Sequence, residues 1–408
     1  MNNDVETLPY SYPLAEHNVF YSTLSHKNIY IENSWILIPT RLVNLINDFI
    51  LFKQSYGTKI EQKFYKAIDT PKMIKRMFKN RPLGFMNSSD YYVLQDGTDG
   101  MGHWESIGSN KESEPLLLTR YMSYDELELS SFLSISIFTP FINKGSRKNW
   151  GKREENCQPN GIYIGQVGPR FQKQFRMEWR FMIVEPEQNI PENGYGPQPV
   201  QGKNSTYLSL WANFYDIDYF PLYLDVEKDT TGRYFKLNNG PYLDILVYKK
   251  RIRYSAELFL KEANYRAMKI GKQAFCHVVG LGLGVWKIAE IQTILTIEVY
   301  LELLVAFKFP FISDLYFAWF NITEKEIQFP TEINGVNIHK GIRDPAEPLN
   351  DSNKLLVANW AWDSNSYIGN EYWCGNLGSS GDPAAASCSF IAYIGNPDLN
   401  DINEVHHF

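Results

Sequence analysis

A chain of 408 residues, 44% hydrophobic and 21% charged, has room for one elaborated globular domain or two, and this composition excludes a fibrous or globally disordered protein. Its net charge of −6 supplies no drive toward a polyanion, so nucleic-acid binding by counterion release is not expected. The four cysteines, Cys157, Cys276, Cys374 and Cys388, show neither CxxC nor Cys/His zinc spacing; no metal is expected, and a reduced, intracellular setting is the simplest reading.

The opening segment lacks the basic and apolar regions of a secretory signal, so none is expected. Residues 1–85 read as a mostly helical N-terminal elaboration, in which "LVNLINDFILF" has helical period, and residues 86–408 read as the ligand-binding domain. From Tyr91, "YYVLQDGTDGMGHWESIG" has the turn chemistry of a hairpin. "SYDELELSSFL" predicts a helix capped by Ser123 with Glu126 at the reciprocal position. "SISIFTPFIN" has strand character, "GIYIGQVG" and "WRFMIVEP" suggest paired strands, and the Pro-, Gly- and Asn-rich stretch from Pro186 to Asn204 suggests a long loop.

Beyond residue 254 the alternation becomes regular. A helix over Ser255–Met268 leads to the strand "AFCHVV", then a glycine loop and a long helix from Ile291 to near Pro310. Glu298 and Glu302 within that helix argue against a membrane span. The strands "FISDLYFAWF", "GVNIHK" and "KLLVANWAW" follow, and a last helix is expected to start near Asp382. Such alternation predicts an α/β sheet with ligands at the carboxyl ends of its strands.

Three constellations carry chemistry. In "VVGLGLGVWK", Gly280, Gly282 and Gly284 leave backbone amides bare where a strand gives way to a helix, which suits a phosphate or diphosphate. Tight packing explains the same glycines equally well. The loop is neither a P-loop nor a dinucleotide fingerprint, since Val285 stands in place of the third glycine. In "ANWAWDSNSYIGNEYWCGNLGSSGDPAAAS", Asp363 and Glu371 bring carboxylates while Trp362, Tyr372 and Trp373 bring flat faces for a base; function and loop structure are both open readings there. Asp382 before Pro383 reads as a helix cap. Asp314 sits within an apolar strand near Asn321, Glu324 and Glu332, where a carboxylate is either paired or set at a cleft.

"FCHVVGLGLGVWK", "ISDLYFAWFN" and the long C-terminal motif, together with "LTRYMSYDELELSSFL", "FINKGSRKNWG" and "ENGYG", resemble the divergent macrodomains of the MavL type, ADP-ribose-processing effectors of Legionella and their relatives. The resemblance covers roughly residues 90 to 400. It implies a macrodomain-like mixed sheet flanked by helices, an ADP-ribose cleft at the strand ends, and hydrolysis of an ADP-ribosyl link, in the effector group to an arginine of ubiquitin. By this resemblance Asp314 activates water, Glu332 assists and Asp363 orients ribose or water. ADP-ribose is expected against Gly280, Gly282, Gly284, Val285, Trp286, Asn321, Asn370, Glu371 and Tyr372, with Trp286 and Tyr372 as walls. No cofactor is implied. The implied partner is ADP-ribose or an ADP-ribosylated protein, and the implied setting is intracellular or, for an effector, the host cytosol. Asn321 stands where the family tends to place a further acid, and an amide cannot act as a base. The alternatives are therefore an ADP-ribose reader without turnover and an NAD-dependent oxidoreductase.

Overall fold

The computed structural model describes residues 33–146, 154–238, 240–322, 327–363, 365–373 and 405–407. Its centre is a nine-stranded mixed sheet built from β1 (Ser34–Ile38), β2 (Ser134–Pro140), β3 (Asn160–Gln166), β4 (Gln273–Val278), β5 (Ile312–Ala318), β6 (Glu332–Ile333), β7 (Val336–Gly341), β8 (Lys354–Ala361) and β9 (Val405–His407). The spatial order is β6-β7-β5-β4-β8-β3-β2-β1-β9. Five neighbouring strands from β7 to β3 run parallel, whereas β2 pairs antiparallel with both β3 and β1. Strands β1, β3 and β8 are buried almost without interruption, the mark of a sheet covered on both faces.

One face is covered by α3 (Ile245–Lys269), against which α4 (Ile291–Ala306) packs; α1 (Thr40–Tyr56) and α2 (Tyr124–Ser130) lie earlier in the chain. The expected helical period of the N-terminal segment is realised in α1, which buries Leu42, Leu45, Ile46, Phe49 and Phe52. The loops at Lys144, Gln158 and Ala346 bond to one another, the Gln158 amide to the Ala346 carbonyl and the Ala346 amide to the Lys144 carbonyl, each at 2.8 Å. Glu298 and Glu302, one turn apart on α4, both pair with Lys249 of α3, and no helix among the described residues is long and apolar enough to cross a membrane.

Several expectations need adjustment. Among the described residues of the N-terminal segment, Thr40–Tyr56, Lys59–Tyr65 and Thr70–Lys79 are helical, and β1 joins the main sheet: the Trp35 indole donates to Glu262 of α3 at 3.0 Å and lies under the Arg266 guanidinium. The hairpin after Tyr91 forms, joined by a third strand at Gly84–Met86. "WRFMIVEP" does not pair with "GIYIGQVG". Trp179–Met182 is a helical turn, and Ile183–Val184 pairs with Tyr242–Asp244, because β3 is already flanked on both sides by β2 and β8. The Pro186–Asn204 loop holds a 3-10 turn at Pro191–Asn193 and leads into a helix over Lys203–Phe214. The helix expected near Asp382 lies outside the described residues.

Candidate active site

The parallel strands β4, β5, β8 and β3 end at Val278, Ala318, Ala361 and Gln166, and the loops that leave them form one cluster. Within it is a cavity of about 590 Å³, in the range that holds a nucleotide-sized ligand. Its position at the carboxyl ends follows from the strand direction.

The glycine loop forms one wall, and its three glycines serve different needs. Gly282 has φ +72°, and a Cβ there would stand 2.7 Å from the Pro169 carbonyl oxygen; a Cβ on Gly168 would collide with the Gly282 backbone. The loops after β3 and β4 therefore touch backbone to backbone, which answers the packing half of the question that the spacing raises. Gly280 and Gly284 line the cavity, and a Cβ on Gly284 would meet nothing within 4 Å. The amides of Leu283 and Lys287 close local turns, while those of Gly282, Gly284, Val285 and Trp286 donate to no acceptor among the described residues. Open amides of this kind suit an anion. The helix end is further off than expected: α4 begins only at Ile291, and Gln292 caps the Ile288 and Ala289 amides at 2.8 and 2.9 Å.

Lys287 and Glu290 stand on the same side, both lining the cavity, with Nζ and Oε2 2.8 Å apart. The remaining wall is aromatic: Tyr163, Trp319, Phe320 and Trp360. Trp319 has φ +59°, a costly conformation for a bulky residue, and its ring meets His277 edge-on at 5.7 Å. Asn359 and Trp360, both buried and both lining the cavity, each keep one polar atom without a partner among the described residues, the Asn359 Oδ1 and the Trp360 Nε1. As consecutive residues of β8 their side chains point to opposite faces of the sheet, so each unpaired atom calls separately for a polar ligand or water.

Of the expected binding residues, Gly280, Gly284 and Asn321 line the cavity. Gly282 supports it from behind. Val285 is 88% exposed and is not among the lining residues. Trp286 turns instead toward Arg170, whose buried guanidinium lies 5.5 Å from its ring and equally far from that of Phe85. Asn370 and Glu371 lie in the helical turn Asn370–Trp373, which also contains Tyr372; Asn370 is buried and its Oδ1 has no partner among the described residues.

The three expected catalytic acids separate. Asp363 is two residues beyond the cavity-lining Ala361 and accepts from Ser366 Oγ at 2.8 Å. Burial raises its pKa above the usual carboxylate value, against the opposing charges of Arg170 and Arg81. Asp314 is the third residue of β5, roughly 13 Å of strand before Ala318, and so lies toward the opposite end of the sheet from the cavity. It is bonded to Lys354 at 2.7 Å, to His339 at 2.8 Å and to Ser313. Burial alone would raise its pKa, but these three partners hold it below the usual value. Glu332, exposed on the edge strand β6, accepts from the Gly335 amide at 3.2 Å and pairs in register with Asn337, itself the neighbour of Asp314. The structure does not bring Asp314 or Glu332 to the cavity.

Sequence reasoning passed over Lys287, Glu290, Trp319, Asn359 and Trp360. A signal existed for two of them: Asn359 is a polar residue inside an apolar strand, and Trp319 ends a strand whose neighbours reach the same cluster. Among the described residues, no group of three or more His, Cys, Asp or Glu is placed to hold a metal.

A nucleotide-sized cleft with open loop amides, an aromatic wall and a carboxylate, at the carboxyl ends of a largely parallel sheet, is the arrangement of an α/β protein suited to a phosphate-bearing ligand. The profile of the family described as ADP-ribosylhydrolase MavL-like matches residues 14–406. Two Drosophila melanogaster proteins are similar over most of the chain: ADP-ribosylarginine hydrolase CG3568, 33% identical over 389 residues, which are 91% of this chain and 76% of the relative, and ADP-ribosylarginine hydrolase CG2909, 30% identical over 401 residues, 93% and 79% respectively. The chain belongs to the MavL-like ADP-ribosylhydrolase family and is a hydrolase of the ADP-ribosyl bond.

Proposed function

We propose that this enzyme removes ADP-ribose from arginine side chains of proteins, with ADP-ribose seated in the cavity between the glycine loop and the strand ends. The observation that carries this reading is the cavity of about 590 Å³, whose one wall has open amides and Lys287 for a diphosphate and whose other wall has Tyr163, Phe320 and Trp360 for a base. The arginine linkage follows from the names of the two relatives.

In this arrangement the distal ribose meets Glu290, the one carboxylate side chain lining the cavity among the described residues. The bond from the ribose anomeric carbon to the guanidine nitrogen breaks with its electron pair leaving on nitrogen, and an oxocarbenium-like centre develops that a carboxylate stabilises. A water adds to that carbon and gives its proton to a carboxylate, which passes it to the departing guanidine nitrogen, so that the arginine is released as guanidinium. Glu290 is proposed for the reacting centre and Asp363 for orienting ribose or water, with Asn321, Asn370 and Glu371 as polar contacts. Asp314 and Glu332 have no part in the proposal, because they lie toward the far end of the sheet. For the carrier protein, ubiquitin is the candidate that the effector resemblance supplies; the two relatives are insect proteins and do not bear on delivery into a host cell.

The test is calorimetric titration with ADP-ribose, NAD and AMP, followed by release of ADP-ribose from arginine-modified protein, ubiquitin among the substrates. Preferential binding of ADP-ribose with release is the expected result. Binding without release would mean that the side chain this hydrolase acts on is other than arginine. Absence of ADP-ribose binding would overturn the proposal.

A further inference from the structure

We propose that Val285, Trp319 and Ile342 form an apolar rim that seats the polypeptide carrying the modified arginine, so that the enzyme favours arginines flanked by apolar side chains. This rests on the proposed function. Val285 is 88% exposed, Ile342 85% and Trp319 44%. Single exposed apolar residues need no explanation, but Trp319 lines the cavity and the other two lie on chain segments that reach it. Val285 follows the cavity-lining Gly284. The Trp319 amide donates to the Gly341 carbonyl at 2.9 Å, which brings the backbone preceding Ile342 against Trp319, and three residues beyond Ile342 the chain returns to line the cavity at Pro345.

The chemistry says what must lie on this rim. A cavity of about 590 Å³ has room for ADP-ribose and not for a protein as well, so the leaving group, a polypeptide joined through its arginine, has to remain outside. Glu290 marks the reacting end of the cavity in the proposed arrangement, and Val285 lies in the same loop, between the cavity-lining Gly284 and Lys287. The indole of Trp319, held with φ +59° and half open to solvent, presents a face over which an arginine stem passes. Beyond that stem, Val285 and Ile342 meet the residues on either side of the arginine. An apolar flank would lose exposed surface on both partners, whereas a charged flank would be desolvated without a counter-charge from these side chains.

The experiment compares three substrates: free ADP-ribosyl-arginine, a peptide whose modified arginine has leucine on both sides, and the same peptide with aspartate there. For the wild-type chain, KM for the leucine-flanked peptide should be lower than for the aspartate-flanked one by about tenfold. Ile342→Ser should remove most of that preference and leave hydrolysis of free ADP-ribosyl-arginine unchanged; Val285→Ser should weaken the preference in the same direction. Equal KM for the two peptides in the wild type would overturn the rim, as would an Ile342→Ser loss equally large on free ADP-ribosyl-arginine. Titration with ADP-ribose separates the two levels: a wild-type chain that binds no ADP-ribose fails the functional reading itself, while one that binds it and ignores the flanks fails the rim alone.

Discussion

Gly168 and Gly282 meet backbone to backbone, so that a side chain on Gly168 would run into the peptide nitrogen of Gly282. The contact locks the loop after β3 to the loop after β4 and fixes one wall of the cavity from outside.

Substitution should therefore divide the glycines by mechanism. Gly168→Ala is expected to cost about 1–3 kcal/mol, because the added carbon faces backbone that cannot rotate away. Gly282→Ala combines the same crowding with a positive φ, so its cost should be at least as large. Gly284→Ala should leave stability nearly unchanged, since its Cβ enters open space, yet weaken ADP-ribose binding by filling the cavity wall. Thermal unfolding and calorimetry on the three variants check this. Equal stability losses at Gly168 and Gly284 would contradict it.

Asp314 should behave as a structural carboxylate. Its folded pKa lies below the ordinary value because Lys354, Ser313 and His339 donate to it against the opposing effect of burial. A carboxylate depressed in this way contributes stability above its unfolded pKa near 3.8, and that contribution is lost as pH falls through the folded value. Asp314→Asn is thus expected to lower Tm at pH 7, with the difference from wild type shrinking as pH falls below about 4. ADP-ribose affinity should not change. A large loss of affinity with unchanged Tm would return Asp314 to the site.

Glu128 of α2 predicts the opposite slope. Its buried carboxyl is pushed up to about 7 by desolvation, in spite of Arg180 at 3.4 Å, and accepts from the Tyr207 hydroxyl and the Met177 amide. A carboxyl raised in the folded state binds more protons there than in the unfolded chain between about 4.5 and 7, so its contribution falls as pH rises through that window. Glu128→Gln should consequently be more costly near pH 5 than near pH 8. The change of slope, on the order of 2–3 kcal/mol across the window, is read from denaturant unfolding at several pH values. Parallel stability curves for the two proteins would refute it.

The glycine loop, the strand alternation after residue 254 and the carboxyl-end cleft were legible because each leaves a local mark: missing side chains, period and chain direction. Asp314 shows where local marks stop. A carboxylate in an apolar strand signals a partner or a cleft, and only the register, which sets Asp314 beside Asn337 and across β4 from Lys354, decides for the partner. Its place as third of seven residues in β5 did carry a warning, because the cleft belongs to the strand's other end. Glu290 gave no signal, since a Lys and a Glu three apart before a helix look like any solvated turn until the cavity beside them is seen. The pairing of Ile183–Val184 with Tyr242–Asp244 was equally hidden, since a two-residue strand has no readable period.

Glu290 supplies the sharpest test of the site. Its carboxylate is exposed enough to meet a substrate entering from solvent, lines the cavity, and is held by Lys287 at 2.8 Å just before α4. If it faces the developing positive charge on the ribose, its value appears in the transition state rather than in binding. Glu290→Gln should then lower kcat by about 100-fold or more while KM and ADP-ribose affinity stay within a few-fold of wild type. Glu290→Asp, which keeps the charge and shortens the reach, should recover part of the rate. Lys287→Met, by contrast, should weaken ADP-ribose binding, because it removes a cation from the wall proposed to hold the diphosphate. A Glu290→Gln enzyme with wild-type kcat would show that the reacting carboxylate lies elsewhere, with Asp363 the next to replace, since it follows the cavity-lining end of β8 and its burial already disfavours the ionised form.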